Sequence, residues 1–114
     1  MPTLIIKANV EVPPKRRKPI LEAVSSKLAE LLGKPERYVM VILENNPDML
    51  FGADDAPLAF LQLKSLGLPE ESTAELSAAL CGLMEQHFGV PRGRVYIDFA
   101  SPPRHLFGWN GGTF

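Results

Sequence analysis

The chain is poor in the residues that build redox and metal sites. Its 114 residues include one cysteine, Cys81, and two histidines, His87 and His105. A lone thiol cannot close an internal disulfide, and these three side chains are too few for a four-ligand structural zinc site. No Cys-x-x-Cys pair is present, so thiol–disulfide oxidoreductase activity is not expected. An excess of one charge is missing as well. Twelve Lys and Arg stand against thirteen Asp and Glu, for a net charge of -1, so no global field draws in phosphate backbones or anionic lipid. Neither nucleic acid nor a membrane is an expected partner. No apolar run approaches the roughly 18 residues that span a bilayer. The start, Met1-Pro2-Thr3-Leu4-Ile5-Ile6-Lys7, lacks the basic head and long apolar stretch of a signal peptide. The expected location is the cytoplasm, and secretion would have to proceed without a signal peptide. A Gly-x-Ser-x-Gly elbow, a P-loop and a dinucleotide fingerprint are absent, and the sequence calls for no cofactor and no metal.

Apolar residues are plentiful. At 46% hydrophobic and 22% charged, the chain can bury a core, and its length suits one domain over residues 1–114. Residues 3–6 are apolar and β-favouring, and the segment ends near Pro13-Pro14, which cannot continue a central strand. From Pro19, Ile20, Leu21, Val24, Leu28, Leu31 and Leu32 recur at helical spacing up to Gly33, a residue suited to a helix stop. The β-branched run Tyr38–Leu43 predicts a second strand. After a turn-rich loop from Asn45 to Ala56, residues 57–64 predict a third strand. Leu76, Leu80, Leu83 and His87 then mark a second helical stripe. Its start is open between Pro69 at a first helical position and a Ser72/Glu75 capping box. Gly89 ends this helix, and residues 94–99 predict the fourth strand.

The plan repeats in its letters. Gly33-Lys34-Pro35-Glu36-Arg37-Tyr38-Val39 aligns with Gly89-Val90-Pro91-Arg92-Gly93-Arg94-Val95, and Pro2 with Pro57. Two βαβ units, about 2–45 and 57–99, with right-handed crossovers predict an α/β fold (α+β by some schemes). Its four-stranded mixed sheet would carry both helices on one face. The strands read as apolar on both sides, so the other face should be covered, most economically by further copies of the chain.

Pro2 is the most unusual position. Removal of Met1 would make Pro2 the terminus and leave a secondary amine, which burial or nearby cations would keep neutral and fit for general base catalysis. The plainer reading is a Met-Pro start with no chemical role. The run Lys15-Arg16-Arg17-Lys18 reads as a solvated helix start rather than a phosphate site. His87 reads as a packed or capping residue, Cys81 as core, and His105 has no visible partner.

Several segments in the same order carry a resemblance: Met1-Pro2, Gly33-Lys34-Pro35 leading into Tyr38, Lys64-Ser65-Leu66-Gly67, Cys81-Gly82-Leu83, Arg94-Val95-Tyr96-Ile97 and Gly108-Trp109-Asn110-Gly111-Gly112-Thr113-Phe114. Together they resemble the macrophage migration inhibitory factor and D-dopachrome tautomerase family of the tautomerase superfamily. The resemblance implies a homotrimer with active sites at subunit interfaces. It also implies a keto–enol tautomerase acting on phenylpyruvate-like α-keto acids, with Pro2 as the base. Lys34 would grip the substrate carboxylate and the backbone around Leu66 would add a polar contact. Tyr96 and Asp98 would come from a neighbouring subunit, and Tyr38, Phe107 and Trp109 would line an apolar mouth. Asp98 stands where the vertebrate proteins have an amide, and Pro57-Leu58-Ala59-Phe60 replaces their Cys-x-x-Cys. The alternative the family offers is a cytokine-like effector that binds a protein receptor, with the pocket serving recognition.

Overall fold

A computed structural model describes residues 1–114. The chain folds as β1 (Thr3–Ala8), α1 (Pro14–Leu32), β2 (Met40–Asn45), β3 (Ala59–Lys64), α2 (Thr73–Phe88) and β4 (Val95–Ala100), followed by a small hairpin of β5 (Gly108–Trp109) and β6 (Gly112–Thr113). The main sheet has the order β2-β1-β3-β4. β1 runs parallel to β2 and antiparallel to β3, and β3 runs parallel to β4. Two βαβ units therefore meet along the β1–β3 seam, as the repeat predicts.

Strand alternation builds the core. Leu4, Ile6 and Ala8 of β1 and Ala59, Leu61 and Leu63 of β3 are buried against Val24 and Leu28 of α1 and Leu76, Leu80 and Met84 of α2. The opposite face is more mixed than the sequence suggests. It carries Ile5, Met40, Ile42, Phe60 and Tyr96, but also Thr3, Lys7, Glu44, Gln62, Lys64 and Asp98. Runs such as Tyr38–Leu43 look continuous because both faces contribute apolar residues, while the polar residues that mark the second face fall on β1, β3 and β4 and, on β2, only at Glu44 beyond that run.

Element boundaries moved where local chemistry outweighs pattern. β1 continues to Ala8 because it pairs with β2 and β3 along its length. Asn9 then ties the chain to the next loop, donating to the Asp55 carbonyl and accepting from the Leu58 N–H, both at 2.9 Å. α1 begins at Pro14 rather than Pro19, with Pro14 where a missing N–H costs nothing. Residues 13–19 are exposed, so the first turns of α1 carry no apolar stripe from which to read them. Tyr38 belongs to a 3₁₀ turn, Glu36–Tyr38, ahead of β2. Of the two expected starts of α2 the later one is used: the helix begins at Thr73 with Ser72 at the N-cap position, although Ser72 makes no side-chain cap and a 3₁₀ turn at Glu70–Ser72 leads in.

The letter repeat is a conformational repeat. Gly33 and Gly89 both end helices in the left-handed region, at φ 61° and 66°, where a Cβ is unfavourable. Pro35 and Pro91 each open a 3₁₀ turn that feeds an edge strand.

Candidate functional site

The Pro2 ring is fully buried. Its carbonyl accepts the Met40 N–H at 2.9 Å, which fixes the start of β1 against the start of β2. The Met1 amine beside it is held below its ordinary value of 8.0, chiefly by burial and then by the positive charges of Lys34 and Arg104. Lys34 follows the left-handed Gly33, and its own N–H closes on the Ala29 carbonyl at 3.1 Å, so the helix stop sets its position. Arg104 starts a 3₁₀ turn, Arg104–Leu106, and its Nε donates to the Phe114 carbonyl at 3.1 Å. Sequence reading missed Arg104. It lies in a Pro-rich stretch without periodicity, and only the tertiary fold brings it to the N-terminus.

An aromatic cluster adjoins this end of the molecule. Tyr38 meets Trp109 edge-on at 5.7 Å, Trp109 stacks on Phe114 at 5.5 Å, and Phe107 lies 5.9 Å from Phe114. Arg37 sits over the Tyr38 ring at 4.7 Å. Tyr38, Trp109, Phe114 and Phe107 thus form a chain of ring contacts in which Phe114 is a ring the sequence reading did not name as a site residue. Next to them, a cavity of about 370 Å³ lies on the exposed sheet face. Thr3, Ile5, Gln62 and Lys64 form one side and Pro102, Leu106, Phe107 and Gly108 the other.

At Leu66 the side chain is buried and the backbone is shaped by its neighbours. The Ser65 N–H donates to the Ala100 carbonyl at 3.0 Å, and Ser65 Oγ donates to the Leu66 carbonyl at 3.4 Å. The Leu66 N–H makes no hydrogen bond within the chain.

Tyr96 and Asp98 are elsewhere. Both project from β4 onto the exposed face, two strands away from β1, and neither lines the 370 Å³ cavity. Tyr96 is 66% exposed and packs on Phe51 at 4.7 Å. Asp98 is in register with Gln62.

The remaining candidates stand apart. Lys15, Arg16 and His87 line a separate cleft between the two helices, where Arg16 donates to the His87 carbonyl at 3.2 Å. His87 is partly buried, just off the stripe that Phe88 completes. His105 is exposed. Cys81 is buried in α2. No three His, Cys, Asp or Glu side chains are grouped to hold a metal, and no helix is long and apolar enough to cross a membrane.

Comparison with known proteins agrees with this arrangement. A solved structure of a macrophage migration inhibitory factor homologue from Prochlorococcus marinus superposes with a TM-score of 0.91 at 42% identity, covering 98% of each chain. A macrophage migration inhibitory factor homolog of Trichuris trichiura is 39% identical over 95 residues, 82% of this chain and 83% of that protein. Macrophage migration inhibitory factor of Mus musculus is 32% identical over 117 aligned positions, 100% of this chain and 99% of that protein. The family model described as macrophage migration inhibitory factor (MIF) matches residues 1–114, and the chain belongs to that family.

Proposed function

We propose that the protein is a keto–enol tautomerase for α-keto acids such as phenylpyruvate, and that Pro2, freed by removal of Met1, is its base. The observation that carries this reading is the N-terminal setting: an amine held below 8.0 by burial, Lys34 and Arg104, beside an aromatic cluster. The same surroundings would lower the pKa of a Pro2 amine and so favour the neutral form that can take a proton. In the enol-to-keto direction the amine takes the enol O–H proton and returns it to the adjacent carbon, so the reaction is a net isomerisation. Lys34 binds the carboxylate, the unpaired Leu66 N–H offers a further donor, and Tyr38, Phe107 and Trp109 face the ring.

The site is completed in a homotrimer. Tyr96 and Asp98 are presented on the far strand of the sheet, where they can serve a neighbour's Pro2 rather than their own. The partly apolar exposed face supplies surface for the contact.

The experiment has two parts. Mass spectrometry reports loss of Met1, and ultraviolet absorbance follows decay of phenylpyruvate enol. Processed protein should be active, and protein with one extra residue before Pro2 should be inactive, because the added amide removes the basic lone pair and leaves the ring in place. Blocked protein working at the parent rate would rule out Pro2 as the base. A cytokine-like, receptor-binding role is the second reading, motivated by the name its relatives carry. Retained Met1 favours it, since Pro2 nitrogen is then a non-basic amide.

A further inference from the structure

The cavity floor contains a cation that the tautomerase reading does not use. Lys64 is the register partner of Thr3, the residue after Pro2, and both side chains rise from the exposed face of the sheet. Lys64 is the charged residue lining the cavity, flanked by the hydroxyl of Thr3 and the amide of Gln62 and faced by Leu106 and Phe107. It belongs to none of the ion pairs of the chain, which are Lys7–Glu44, Lys27–Glu30 and Arg92–Glu85. Thr3, Gln62 and Lys64 side chains take part in no hydrogen bond within the chain.

The positive charges fall into two groups. Lys34 and Arg104 bear on the terminal amine, whereas Lys64 does not, although it starts from the strand beside Thr3. The turn that carries Arg104 also supplies Leu106 and leads into Phe107, both of which line the cavity with Lys64. A ligand with a single carboxylate held at Lys34 leaves Lys64, Gln62 and Thr3 unmatched. A ligand with a second carboxylate satisfies them with a charge-assisted hydrogen bond and neutral donors. The volume of about 370 Å³ suits a small molecule.

We propose that Lys64, with Gln62 and Thr3, forms a second anion subsite, and that the preferred substrate class is a 2-oxo acid carrying a second carboxylate. The 2-oxo part of this inference rests on the tautomerase reading. The second-anion part rests on the cavity.

Binding and turnover separate the two. Quenching of Trp109, the single tryptophan, reports binding of succinate and of butyrate, which match in length and differ by one carboxylate. Succinate should bind at least about tenfold more tightly, the low end for a charged hydrogen bond, and Lys64→Gln should abolish that preference while Lys64→Arg restores much of it. In turnover, the ratio of kcat/KM for oxaloacetate enol to that for phenylpyruvate enol should fall about tenfold or more in Lys64→Gln. Lys64 is exposed and unbonded, so these variants should fold. Equal affinity for the two acids in the parent protein, or an unchanged ratio in Lys64→Gln, overturns the subsite and leaves the tautomerase reading intact. A Lys64 neutralised by a neighbouring copy's carboxylate would give that result. Lys64-dependent succinate binding without turnover of either enol overturns the 2-oxo assignment and the tautomerase reading, while the anion subsite stands.

Discussion

Lys34 has two separable effects at the N-terminus. As a cation near the amine it disfavours protonation, and on the proposed function it would also hold the substrate carboxylate as a hydrogen-bonding charge. On the proposed mechanism the active base is the neutral Pro2 amine, so activity should fall as pH drops through its pKa. Lys34 and Arg104 lower the pKa of the Met1 amine, and the same charges would act in that direction on a Pro2 amine. Lys34→Ala and Arg104→Ala should therefore both move the acid limb of a kcat/KM profile to higher pH. Lys34→Ala should in addition raise KM for phenylpyruvate by roughly 10- to 150-fold, the worth of a charged hydrogen bond. Matching acid limbs in parent and variants would show that these cations do not set the base. In the proposed trimer Asp98 would act with the opposite sign. A carboxylate delivered to the site repels an anionic substrate and favours the protonated amine, so Asp98→Asn should increase phenylpyruvate turnover and move the acid limb down. Pro2 stands out in the sequence by its Met-Pro start, and Lys34 and Tyr38 enter only through the family resemblance carried by the Gly33-Lys34-Pro35 segment. Arg104 and Phe114 could not be named in either way: their meeting at 3.1 Å depends on the C-terminal segment folding back.

The connections between elements position as much as the elements do. Gly33 has no neighbour within 4 Å of a would-be Cβ, so Gly33→Ala meets no steric obstacle. Its cost is the left-handed backbone alone, about 1–2 kcal/mol, which a denaturant midpoint would report. Because Lys34 follows directly, KM for a carboxylate substrate should rise too. At the other edge, Arg94 braces the loop before β3. Its guanidinium donates to the carbonyls of Phe51, Asp54, Ala56 and Pro57 at 2.9–3.3 Å and lies 5.3 Å from the Phe51 ring. Phe51 in turn supports Tyr96. Arg94→Ala should cost about 1.5–3 kcal/mol in chemical denaturation, and Arg94→Lys should recover only part because an ammonium cannot span four carbonyls. An Arg94→Ala protein as stable as its parent would mean the loop holds itself.

For the whole molecule the prediction concerns assembly. Sedimentation at micromolar concentration should give three times 12.5 kDa, and a well-behaved monomer would remove both the cover for the exposed face and the neighbour that brings Tyr96 and Asp98. Local chemistry in the sequence determined the two βαβ units, their glycine stops and the core faces of both helices. These follow from periodicity and backbone preference, which act over a few residues. Only the tertiary structure decided that Arg104 and Phe114 join Lys34, Tyr38 and Trp109, that Lys64 stands opposite Thr3, and that Tyr96 lies two strands from the Pro2 end. Those placements depend on strand order and register between segments dozens of residues apart, and no local preference encodes them.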